Sequence, residues 1–244
     1  LFLARDRIGE KPLYYYHDEN RLVFASEIKS MLINPTIPRE ISPRGLSNYF
    51  AFGHSVAPDT ILKNVYKLLP GHFLLAKEGR IKIEEYWDVG YESQISEGSE
   101  FREEEYSEKI LEILNDSVRL RMIADVPVGA FLSGGVDSTT VSKIASEAIP
   151  QLRTVTATFP YDTDVDEKDL AELVVRQISG KSHMIPFKDT YMTEHLEQLA
   201  KHVDDPIMTP SDYTLMGLCE GLRGQNEVKV ILCGEGGDEL FAGY

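Results

Sequence analysis

The feature that most constrains the fold of this chain is the stretch Phe131-Leu132-Ser133-Gly134-Gly135-Val136-Asp137-Ser138. An apolar run, Val126 to Leu132, leads into it, and a helical pattern, Thr139 to Ala148, leads out. That order predicts a buried strand ending in a glycine-rich turn that opens a helix. Such a turn aims several backbone N–H groups at one point, and the helix dipole adds positive potential there. The expected guest is a phosphate group. Ser133 and Ser138 supply hydroxyl donors, and Gly134 and Gly135 let the backbone come close. Asp137 would repel a phosphate unless a divalent cation lay between them. Neither the Gly-Lys-Ser/Thr of a P-loop nor a Rossmann glycine triplet is present. A plain Gly-Gly turn is the bland alternative, and the ordered set of strand, loop, Asp-Ser and helix weighs against it.

A second glycine-rich segment, Gly234-Glu235-Gly236-Gly237-Asp238-Glu239, follows another apolar strand, Val228 to Cys233. Its acids near a polyphosphate must hold metal or move protons. Asp238 can share a Mg²⁺ with Asp137, and Glu235 can act as a general base. Alone, the segment also reads as an acidic surface turn.

Between and around these turns, strand and helix patterns alternate from Tyr106 onward. The helical face Tyr106, Ile110, Ile113, Leu114, Ser117 and Val118 comes first. Strands at 154–159 and 183–187 and helices at 167–178, 191–202 and 214–222 follow. This alternation predicts a parallel sheet with helices on both faces, in which ligands sit beyond the carboxyl ends of the strands. Both glycine-rich turns lie at such ends. Residues 1–88 read differently, as strands and turns with two hairpins, 13–25 and 73–83. Ser26 is expected to cap a short helix, 27–32, and Ser42-Pro43 to open another through Phe52. The run Tyr14-Tyr15-Tyr16 reads as a strand showing alternate rings to opposite faces. Residues 92–108 are rich in Glu and read as a solvated linker entering a helix.

The 244 residues allow one large domain or two modest ones, and a hydrophobic content of 42% suits a buried core. A net charge of −15 disfavours a nucleic-acid partner, and no apolar run is long enough to span a bilayer. Two cysteines, Cys219 and Cys233, suggest a reducing, cytoplasmic setting rather than a disulfide framework. The six histidines show no metal-ligand spacing. The chain starts inside a strand-like run and stops just after the second glycine-rich segment, so a fragment is expected.

Ser-Gly-Gly-Val-Asp-Ser resembles the pyrophosphate loop of the N-type ATP pyrophosphatases. Asp125 through Ser138, together with Gly234-Glu235-Gly236-Gly237-Asp238-Glu239-Leu240-Phe241-Ala242-Gly243-Tyr244, resembles the synthetase domain of type B glutamine-dependent asparagine synthetases. Ala4-Arg5-Asp6-Arg7-Ile8-Gly9-Glu10-Lys11-Pro12-Leu13-Tyr14-Tyr15, Ala25-Ser26-Glu27-Ile28-Lys29 and Leu69-Pro70-Gly71-His72 resemble the end of that family's glutaminase domain. The resemblance covers nearly the whole chain. It implies an α/β protein. A partial, β-rich (α+β) N-terminal-nucleophile hydrolase domain would occupy 1–90, an acidic linker 91–105, and the start of a doubly wound ATP pyrophosphatase domain 106–244.

The chemistry implied is ATP-dependent, glutamine-hydrolysing amidation of aspartate through an aspartyl-adenylate, with ATP and Mg²⁺ required. Glutamine and aspartate would be the partners, with no nucleic acid or membrane, and a homodimer is left open. By the same resemblance, Leu132, Ser133, Gly134, Gly135, Asp137, Ser138, Ala157, Cys233 and Gly234 would contact ATP. Cys233 stands where the family has Ser, and Gly237 where it often has Ser. Asp137 and Asp238 would hold the metal, and Glu235 would be the catalytic glutamate. Asp6 would hold the amino group of glutamine, with a turn-capping Asp as its structural alternative. The stretch Asp204 to Tyr213 lies where the family reads its acceptor. Neither the family's N-terminal cysteine nucleophile nor its C-terminal catalytic lysine falls within these residues, which implies that they are inactive alone. Two alternatives stand beside this reading: a related amidotransferase or cyclase that adenylates another carboxylate, and a non-catalytic nucleotide-binding homologue.

Overall fold

The computed structural model describes residues 1–90, 102–162, 166–206, 210–223 and 227–243. The chain forms two units: Leu1–Ser96 with Leu196–Pro210, and Glu97–His195 with Ser211–Tyr244. The inclusion of Leu196–Pro210 in the first unit departs from a linear division of the sequence.

In the first unit, β1 (Phe2–Ala4), β5 (His72–Lys77) and β6 (Arg80–Glu85) make one antiparallel sheet. A second antiparallel sheet has the order β3 (Leu22–Ala25), β2 (Tyr14–His17), β4 (Val65–Lys67). The tyrosine run does alternate. Tyr16 packs with Ile28, Met31, Ile37 and Val65, while Tyr15 packs with Leu68 and with Leu74 of the other sheet. Both expected hairpins form. The β5–β6 turn is Glu78-Gly79, with φ of 52° and 74°, the left-handed pair that matches strand twist. Ser42 caps α2 (Pro43–Phe52) by accepting from the Gly45 N–H at 3.1 Å, as expected. Ser26 caps nothing: α1 is a single turn, Ile28–Met31, with Glu27 at its N-cap and no side-chain cap bond.

The second unit carries a four-stranded, wholly parallel sheet. Its order is β10 (Val230–Leu232), β7 (Val128–Phe131), β8 (Arg153–Thr158), β9 (Lys181–Pro186). One face packs Val128, Ala130 and Leu232 against Val118 of α3 (Glu103–Arg121) and Ile144 and Ala145 of α4 (Val136–Ala148). On that same face Leu132 meets Ala171 and Val174 of α5 (Lys168–Gln177). On the other, Val155 packs with Phe187 and with Leu218 of α7 (Pro210–Gly221). Tyr191, at the head of α6 (Tyr191–His202), joins this cluster. The expected doubly wound α/β architecture is therefore present.

Of the apolar face expected on α3, Val118 is buried and Leu114 packs beside it, but Tyr106, Ile110 and Ile113 are exposed. At 1.5 Å per residue the helix is about 28 Å long, more than strands of this size can cover. Glu103, Glu104 and Glu105 form its first turn, where acids suit the dipole. The rest of the expected linker, 91–101, lies outside the described residues. No helix among the described residues is long and apolar enough to cross a membrane.

Candidate functional site

The two glycine-rich turns are neighbours because their strands are. β10 pairs with β7 in parallel, with Leu232 opposite Ala130, so both strands release their chains at the same edge of the sheet. α4 starts at Val136 rather than Thr139, which puts Val136, Asp137 and Ser138 in its first turn. Gly135 is the N-cap and has no side chain to cap with, so the first-turn N–H groups are left for another acceptor. Gly134 has φ of 94°, and a Cβ there would lie 2.6 Å from Leu170 Cβ on α5. Only glycine fits that bend and that approach. The Ser133 and Ser138 hydroxyls lie 3.0 Å apart. Ser138 Oγ donates to the Gly135 carbonyl at 3.2 Å, and Ser133 Oγ accepts from the Gly135 N–H at 3.3 Å. The hydroxyls thus brace the loop and can be re-aimed at a bound oxyanion.

Asp137 is the hinge between the turns. A Cβ at Gly234 would sit 2.9 Å from Asp137 Cβ and from the Ser138 nitrogen. One at Gly237 would collide with Asp137 Oδ2 and lie 2.5 Å from its Cγ. The carboxylate occupies space that a side chain at 237 would fill, and the Asp137 Cβ and backbone occupy that of one at 234. A Ser in place of Gly237, a mild change by sequence, would displace it. Asp238 is half-buried in the first turn of α8 (Gly237–Phe241), and Glu235 is exposed beside it. Gly236, with φ of 92°, makes the bend between these two acids. The Asp137 carboxylate lies against Gly237, whereas Asp238 Oδ1 lies against Gly243, where a Cβ would collide with it.

The remaining nucleotide candidates are placed less directly. Leu132 is buried; its N–H donates to Val155 and its carbonyl accepts from Thr156 Oγ1 at 2.7 Å. It is the floor beneath the loop rather than an open donor. Ala157, half-buried, lies with Phe131 and Ile231 on the α7 face of the sheet. Cys233 is exposed at the end of β10.

In the first unit, both Asp6 oxygens accept backbone N–H bonds, from Glu10 at 2.9 Å and Lys11 at 3.0 Å. The Lys11 bond leads the causes that hold its carboxyl below the usual range. This is the turn-capping geometry given above as its alternative. Sequence reasoning missed Arg5. Its guanidinium donates to the carbonyls of Lys11, Leu68 and Gly9 at 3.0, 2.7 and 3.0 Å and fixes the loop that carries Asp6. An arginine next to a glycine-bearing loop was the only available signal. Asp204 and Asp205, expected in an acceptor-reading stretch, are engaged by Lys29 and Lys67 of the first unit. Residues 207–209 of that stretch lie outside the described ones.

Residues 109–244 match the family model described as asparagine synthase. The chain belongs to this family. Residues 1–87 match a glutamine amidotransferase domain. This chain is 33% identical, over its whole length, to a putative asparagine synthetase [glutamine-hydrolyzing] 2 of Methanocaldococcus jannaschii, of which it covers 47%. It is also 33% identical to asparagine synthetase [glutamine-hydrolyzing] 1 of Bacillus subtilis, covering 37% of it, and 30% identical to amidase chyE of Penicillium rubens, covering 38%. The chain thus spans less than half the length of these relatives. An NH3-dependent NAD synthetase from Campylobacter jejuni overlaps 59% of this chain and 61% of its own at 15% identity, with a TM-score of 0.37, too low to carry an argument.

Proposed function

We propose that this asparagine synthase chain belongs to a ligase that uses ATP and glutamine to convert aspartate to asparagine. The carrying observation is the meeting of the two turns on Asp137, which Gly234 and Gly237 leave room for. In this reading the N–H groups and hydroxyls of Ser133, Gly134, Gly135 and Ser138 hold the β,γ-pyrophosphate. Leu132, Ala157, Cys233 and Gly234 border the nucleotide. Asp137 and Asp238 would hold Mg²⁺, whose part is to neutralise the departing pyrophosphate.

The acceptor carboxylate attacks the α-phosphorus, pyrophosphate leaves, and the acyl-adenylate carries AMP as a leaving group. Ammonia then attacks the acyl carbon, the C–O bond to AMP breaks, and Glu235 takes the proton that ammonia sheds. Glu235 suits this part because it is exposed beside the turn and is not committed to the metal pair. Asp6 receives the amino group of glutamine in the 1–90 domain, the acidic stretch 91–105 links, and 106–244 performs the adenylation.

Acid-dependent pyrophosphate release tests the reading. Release with aspartate and ATP is expected, and none with any carboxylic acid would refute it. A second reading keeps the adenylation and changes the acceptor. It is favoured by the similarity to a fungal protein named an amidase. Release with another acid and not with aspartate would select it.

A further inference from the structure

Lys67, the last residue of β4, carries its ammonium into an enclosed corner of the first unit. Its side chain is 20% exposed and that of Asp205 17%, with Nζ and Oδ2 2.5 Å apart. In no other ion pair among the described residues are both side chains so enclosed. The same ammonium donates to the Ser55 hydroxyl at 3.0 Å, and Ser55 is buried. Next to this pair, Asp204 Oδ1 accepts from the Lys29 N–H at 3.1 Å, and the Lys29 ammonium donates to the His202 carbonyl at 3.1 Å. Burial, and then the charges of Asp205 and Asp204, push the Tyr14 hydroxyl up to about 12, so both carboxylates are felt at β2.

An exposed ion pair adds little, and an enclosed one is a poor way to gain stability, because both charges lose water. Asp205 makes this worse: its Oδ1 is buried with no hydrogen-bond partner. Plain packing would be served better by apolar side chains. What the lysines and acids do achieve is selective. Lys29 and Lys67 fall in the residues matched as amidotransferase, 1–87, and Asp204 and Asp205 in those matched as asparagine synthase, 109–244. The four residues join these two matched stretches within one unit.

We propose that Asp205 and Lys67, backed by Asp204 and Lys29, are positioning residues for glutamine-dependent amide formation. They fix residues 196–206 to the amidotransferase stretch so that nitrogen released from glutamine is spent on the amide. Ammonia that escapes into water is protonated and stops being a nucleophile, so a loosened segment wastes glutamine. This inference rests on the function proposed above.

The test uses the full-length protein and its Asp205→Asn and Lys67→Met variants, with the reversed pair K67D/D205K as the rescue. Glutamate formed per amide formed is expected to rise from about one to several, while ammonia-supported amide formation by Lys67→Met stays within about twofold. The reversed pair is expected to bring the ratio back toward the unsubstituted value. A ratio that stays put, or an equal fall with both nitrogen sources, overturns the proposal. Hydrogen exchange supplies an arm free of the enzymology. Amides of residues 196–206 should exchange ~10-fold faster in the isosteric Asp205→Asn. Unchanged exchange would overturn the proposal whatever the enzyme makes. If exchange quickens but the unsubstituted protein forms no amide from any acid, the ligase reading has failed and the clamp has not.

Discussion

Gly237 has no side chain, and the Asp137 carboxylate uses the space one would take. Gly237→Ala should therefore push Asp137 aside and weaken Mg·ATP binding by about tenfold, with little change in melting temperature. Calorimetric titration of the variant without acceptor reads this directly. Glu235 makes the opposite prediction. Glu235→Gln removes the exposed carboxylate proposed above as the base, so ATP binding should persist while amide formation falls by at least ~10²-fold. Equal turnover of the variant would exclude Glu235 as the base. The strand, turn and helix around Ser133 to Ser138 were legible in the sequence, because Ser, Gly and Asp in a short loop carry their own local instructions. The packing of Asp137 against Gly234 and Gly237 was not, since it joins residues far apart in the chain and leaves no local pattern.

At the scale of elements, α2 comes closest to the backbone at Thr60 and Ile61 through Gly45. A Cβ at Gly45 would collide with the Thr60 carbonyl oxygen and lie 2.9 Å from its carbon. Gly45→Ala should cost about 1–3 kcal/mol despite alanine's better helix propensity, and thermal melting reads the loss. The β2–β3 hairpin gives a prediction in pH. Asp18 is held well below the usual carboxylate range, first by the Arg21 guanidinium and then by the Asn20 N–H and the Tyr16 hydroxyl. A depressed carboxyl stabilises the fold above its ordinary value and loses that effect as the pH falls toward its folded one. The melting temperature should thus drop on acidification below about pH 4, and drop less steeply in Asp18→Asn. Hairpins and the Ser42 cap were readable because turn chemistry is local. The start of α4 was not: Val136, Asp137 and Ser138 were counted with the loop, although the extended Gly135 ends the turn and they already form the helix's first turn. Ser26 looked like a cap, but a single-turn α1 starts one residue later and offers it no bond.

For the molecule as a whole, the two nitrogen sources should separate. Asp6→Asn should lower glutamine-supported amide formation by about tenfold or more and leave ammonia-supported formation within about twofold. A parallel loss of both would assign Asp6 to its loop alone, where it already accepts the Glu10 and Lys11 N–H groups. The parallel sheet of the second unit was legible from the alternation of strand and helix patterns, whereas the membership of Leu196–Pro210 in the first unit was not. Ion pairs such as Lys67–Asp205 have no period and no motif. The sheet order has one more consequence. β7 is the first of the four strands to leave the ribosome and its partner β10 the last, with β8 and β9 made between them. Pairings so distant in sequence close slowly. A nascent chain therefore holds β7 without its partner β10 until β8, β9 and the helices between them have all been made.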